Sequence, residues 1–171
     1  MTCLFQMIRR FLQFVLAAVF ILSGTNKVTD MVHAETHKFL SAEAPKWGKV
    51  WKPLFQNGLA KASVDSATTD MLTLLLLDDG SGSYKIFMKN IGILELAAAF
   101  LLLLNIFSGF GAFLLAATMA GATYTHQEMK DDKAVVPGVL CALSLLILIL
   151  PSAAPKSGKP SKPAAGEKKA K

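Results

Sequence analysis

Glu95 stands inside IGILELAAAFLLLLNIF, residues 91–107, one of the most apolar stretches of the chain. A carboxylate at membrane depth is expensive unless something answers it, so such residues face a bundle interior or a wet cavity and mark a place to look for function. The matching cation is Lys27, which closes a second apolar block, FLQFVLAAVFILSGTNK, residues 11–27. Ser23, Asn26 and Lys27 fall at i, i+3 and i+4, one face of a helix. His126, followed by Gln127, ends a third apolar block. Brought to one depth, these groups make a polar pocket for a partner's segment or a small molecule. The competing reading is a buried ion pair that only fixes helix register.

Other chemistry is thinly represented. His33 and His37 are spaced i, i+4, a geometry that can grip a metal, but no third ligand is fixed beside them, so no metal is expected. Cys3 and Cys141 belong to no C-x-x-C pair. There is no Gly-rich phosphate loop, no H-E-x-x-H and no G-x-S-x-G. The expectation is a non-enzymatic protein without a cofactor.

The elements that must position the pair are membrane helices. Of 171 residues, 53% are hydrophobic and 18% charged, and the charges lie between the apolar blocks. Leu/Ala-rich runs without alternation exclude a transmembrane barrel. The fold expected is all-α, a four-helix transmembrane bundle with spans at about 8–27, 88–106, 108–126 and 134–151. It carries a long lumenal loop at 28–87 between the first two spans, and a disordered basic tail at 152–171 follows the membrane domain of residues 1–151. The blocks are short against the roughly 20 residues that cross a bilayer core, which suits a thin endoplasmic reticulum membrane. Leu22-Ser23-Gly24 is a poor cleavage site, so the first block is read as a retained span.

Arg9 and Arg10 precede the first span and the tail holds six lysines against Glu167, which places both termini in the cytosol, as the even number of expected spans requires. The net charge of +6 therefore speaks for topology and anionic headgroups; no nucleic-acid partner is expected. Within the loop, residues 28–40 carry helical spacing. Trp47, Val50, Trp51 and Leu54 form an apolar face between Pro45 and Pro53, either an interfacial segment or a lid on the bundle. Residues 57–83 lose their pattern, and Asp78 to Ser83 read as a mobile turn. In the third span Ser108, Ala112, Ala116 and Ala120 recur every four residues, a small-residue stripe assigned to internal packing.

Ser23-Gly24-Thr25-Asn26-Lys27-Val28-Thr29, Asn90-Ile91-Gly92-Ile93-Leu94-Glu95-Leu96 and His126-Gln127 with Asp131-Asp132 together resemble the DoxX-like membrane family, and within it the nicotinic acetylcholine receptor chaperone branch. The resemblance implies an endoplasmic reticulum membrane chaperone or assembly factor whose clients are membrane receptor or channel subunits. It also implies that Lys27, Glu95, His126 and Gln127 are the family's polar set, while residues 57–83 resemble an insertion. Other DoxX-like members imply an alternative, a membrane subunit of an oxidoreductase that handles quinone or sulfur chemistry. Lys168 and Lys169, four and three from the end, resemble a dilysine retrieval signal.

Overall fold

A computed structural model describes residues 2–151, and over these the chain is helical. Its elements are α1 (Thr2–Val28), α2 (Ala34–Lys61), α3 (Ser66–Leu76), α4 (Lys85–Leu103), α5 (Ser108–Glu128) and α6 (Val135–Ile149), with a 3-10 turn at Asp132–Ala134. Three stretches are long and apolar enough to cross a membrane: Leu4–Val28, Lys85–Leu103 and Asp132–Ile149. Large apolar side chains stay exposed along them, Phe11, Phe14 and Ile149 among them, and lipid covers such a surface at no cost. The chain is a multi-pass membrane protein.

Six helices with three apolar spans replace the expected four-helix transmembrane bundle. The physical reason lies in α5, whose 21 residues include Gly109, Gly111, Gly121, three threonines and His126, too few large apolar groups to match the other three. It is nonetheless packed between α4 and α6, and it carries the chain back from the turn at residues 104–107. That turn places Asn105 and Phe107 in the left-handed region, φ 55° and 49°. The expectation of two cytosolic termini needs an even number of apolar spans, which three do not supply.

The long loop expected at 28–87 is largely helical. His33 caps α2, its Nδ1 accepting from the Thr36 N–H at 3.1 Å, and α2 then runs unbroken through Pro45 and Pro53. Proline removes one ladder hydrogen bond and favours a break, but tertiary packing overrides that local preference here. Gly48 lets the α2 backbone lie on the Tyr84 ring, so close that a Cβ would fall 2.0 Å from it. Ala44, Leu77, Tyr84 and Met88 form a small second core that ties α2 and α3 to α4. Asp65 caps α3 by accepting from the Thr68 N–H at 2.9 Å and the Thr68 hydroxyl at 2.7 Å, and those bonds hold its carboxyl below the usual range. Residues 78–83 form a hydrogen-bonded turn, in which the Asp78 carboxylate, 4% exposed, accepts from the Gly82 N–H, whose φ of +71° suits glycine.

The main core joins α1, α4, α5 and α6 through Leu16, Phe20, Leu102, Leu115 and Ile147. Its tightest seams are backbone to backbone. A Cβ on Gly92 would lie 2.7 Å from the Lys27 Cβ and 2.8 Å from the Gly24 carbonyl, so α1 and α4 touch where both lack side chains. Gly111 likewise sits against the Ala98 carbonyl. The α5 stripe is half internal: Ser108, Ala112 and Ala116 are buried while Ala120 is exposed. Four residues turn a helix by about 400°, so a strict four-residue spacing drifts by about 40° per step and leaves the seam after three steps, where Leu115 and Met119 take over.

Gly92→Ala is expected to push α1 and α4 apart and destabilise the protein by about 1–3 kcal/mol, the usual cost of overpacking. Thermal unfolding in detergent checks this, with Gly58→Ala, an open position, as the control.

Candidate functional site

The Gly24–Gly92 seam sets the height at which α1 and α4 can exchange charge. One turn along from it, the Lys27 ammonium donates to both Glu95 carboxylate oxygens, at 2.6 and 2.8 Å. Ser23 completes the group, its hydroxyl donating to Glu95 at 3.0 Å and accepting from Lys27 at 2.7 Å. Glu95 is fully buried and the Lys27 side chain is 12% exposed, so the pair is reached only from the lysine side. All the strong bonds of this cluster are internal, which offsets much of the cost of removing two ions from water.

The accessible side opens on a cavity of about 870 Å³. Ser23, Lys27 and Glu95 form its polar floor, Trp47, Trp51 and Phe87 one apolar wall, and residues of α5 and α6 the other. Trp51 is fixed there: its indole N–H donates to Thr125 Oγ1 at 2.8 Å, and its ring meets Tyr124 edge-on with centroids 6.1 Å apart. Of the two readings of the Trp47–Trp51 segment, the lid is the one the structure adopts. Lys133 over the Phe39 ring, 5.1 Å from its centroid, ties the same helix to the turn before α6.

His126 also lines the cavity, and its Nδ1 lies 2.9 Å from the Asp131 carboxylate. Donation from the imidazole holds the Asp131 carboxyl below its usual range, and the backbone N–H of Lys133 adds to it. The other expected site residues point elsewhere. Gln127 is exposed at the end of α5, outside the cavity. Asn26 lies outside the lining too, with Oδ1 buried and unpartnered, while its backbone carbonyl pairs with His37 Nδ1 at 2.8 Å. His33 is occupied by its cap, so the two histidines serve the start of α2. Lys168 and Lys169 lie outside the described residues.

Several lining residues escape a sequence reading, notably Thr125, Lys133 and Pro137. The only signal for the wall was the i, i+4 pair of tryptophans, which points to a shared face without saying what covers it.

Residues 80–148 match the model of the DoxX-like family. No curated protein and no solved structure matches the chain. The matched stretch contains α4, α5 and all but the last residue of α6, hence Glu95 and His126, whereas Lys27 and the lid helix α2 lie before it.

Lys27→Met should destabilise the protein by about 3–5 kcal/mol by leaving a buried carboxylate uncompensated, whereas Lys27→Met with Glu95→Leu should recover most of the loss. Unfolding midpoints of the two variants in detergent decide between a coupled pair and two independent groups. Because Asp131 titrates below its unfolded value, its contribution is full above the ordinary carboxylate pKa of about 3.9 and is lost only as pH falls through the lower folded value. Asp131→Asn should therefore lower the midpoint at neutral pH and flatten its fall in strong acid.

Proposed function

We propose that this protein is a non-enzymatic chaperone or assembly factor of the endoplasmic reticulum membrane, which holds receptor or channel subunits while their membrane segments are incompletely packed. The observation that carries the reading is the cavity: its walls are apolar, its floor is a self-satisfied ion pair, and its lid is a helix from outside the apolar spans. With the floor's charges paired to each other, the site offers a partner a large apolar surface with polar groups at one end. Leu40, Trp47 and Trp51 provide a large apolar contact area for such a segment. A client leaves when its own subunits bury the surface that the cavity had covered. The arginines at residues 9 and 10 favour a cytosolic position for the start of α1.

One observation favours a second reading, the quinone-handling subunit of an oxidoreductase. A cavity of about 870 Å³ falls within the usual range for small-molecule sites, and Lys27 and His126 are both suited to hydrogen-bond a carbonyl.

Filling the cavity separates the readings. Ala117 lines it and is exposed, so Ala117→Trp should occupy the space with a small effect on stability. In cells expressing a pentameric receptor, surface delivery with Ala117→Trp should drop to the level seen without the protein. Delivery that never depends on the protein would end the chaperone reading, and a quinone co-purifying with wild type but not with Ala117→Trp would install the second.

A further inference from the structure

At the far end of the bundle from the cavity, α1 presents Arg9, Gln13, Leu16, Ala17 and Phe20 as one buried face. Its first two members are polar. Arg9 is 8% exposed and Gln13 2%. The guanidinium carries five N–H donors and a full charge at any accessible pH. It donates from Nη2 to Ser108 Oγ at 3.1 Å, and its Nε is buried without a partner. Gln13 donates to Asn105 Oδ1 at a long 3.4 Å, and its Oε1 is likewise buried and unpartnered.

Nothing described nearby compensates the charge. Residues 2–22, 96–118 and 140–151, which build this end, contain no aspartate or glutamate, and no described carboxylate pairs with Arg9. A buried guanidinium held by one neutral hydroxyl is strongly under-compensated. A phosphate supplies what is missing, since its oxygens accept from Arg9 in fork geometry and from Ser108. The orphan Gln13 Oε1 needs a donor, and a headgroup hydroxyl supplies one, whereas a simple carboxylate does not. The surroundings select a lipid source. Phe11, Phe14, Phe107 and Phe110 are 57–78% exposed around this end, an apolar apron for acyl chains beside the charge.

We propose that Arg9, Gln13 and Ser108 form a binding site for the phosphate of an anionic, hydroxyl-bearing phospholipid headgroup at the start of α1. Arg10, exposed on the same turn, adds a diffuse attraction without being part of the site.

The test uses the full chain in detergent and follows thermal unfolding against added dioleoyl phosphatidylglycerol, dioleoyl phosphatidylcholine or inorganic phosphate. Phosphatidylglycerol should raise the midpoint saturably and above the phosphatidylcholine arm, with inorganic phosphate ineffective at matched concentration. Arg9→Gln should weaken the phosphatidylglycerol response about tenfold or more, as loss of a charge-assisted fork requires. Arg10→Gln should weaken it less than about threefold, as for an exposed charge. Ser108→Ala, which keeps the cation, reads the same site if Arg9→Gln does not fold, and should weaken the response measurably. Equal effects of Arg9→Gln and Arg10→Gln, no loss in Ser108→Ala, or no lipid-dependent rise would overturn the site. A rise of the same size with inorganic phosphate would overturn the lipid source.

Discussion

Two glycines facing each other, Gly24 and Gly92, set the geometry on which the rest of this protein depends. Because neither carries a side chain, α1 and α4 approach until backbone meets backbone, and only at that separation does the Lys27 ammonium reach both oxygens of a carboxylate on the neighbouring helix. The order of causes runs from residue size to helix distance to ion pairing. Reversing it does not work, since an ion pair alone is a weak source of net stability once its desolvation is counted. The seam makes the pair affordable, and the pair in turn fixes the register of α1 against α4.

The cavity follows from what the seam leaves unfilled. α1 and α4 are drawn together at the glycines, α4 and α5 at Gly111, and the remaining space between α4, α5 and α6 is covered by α2. The cover is held by distributed contacts, the Gly48–Tyr84 stack, the Trp51–Thr125 hydrogen bond and the Lys133–Phe39 contact. No one of these is strong alone.

The meeting of Lys27 and Glu95 was legible because membrane depth is a one-dimensional ruler: two lone charges near the same end of two apolar helices have few alternatives to each other. Ser23 followed from its four-residue spacing to Lys27. Asn26 did not, because a neighbour in sequence is turned by about 100° on the helix. The 28–87 region was misread for a different reason. Pro45, Pro53 and Gly48 argue locally for a broken chain, and only the long-range fit of Tyr84 against Gly48 makes one continuous helix preferable. Counting α5 with the apolar spans weighed its small residues as membrane-friendly packing without weighing the large apolar surface they lack. Arg9 was read as a topology signal alone, since its sequence position gives no hint that Ser108 would bury it.

The pairing of Lys27 with Glu95 also determines how the cavity responds to voltage. Unpaired, either residue would carry one elementary charge in the transmembrane field, worth about 2.3 kcal/mol for full passage across 100 mV. Held together within 3 Å they form a short dipole of zero net charge, so a neutral guest that enters above them without prising them apart displaces no gating charge. Binding of such a guest, if it also left Asp132 and Lys133 at the cavity's edge in place, would therefore be electrically silent, set by the guest's chemistry and not by the polarisation of the membrane.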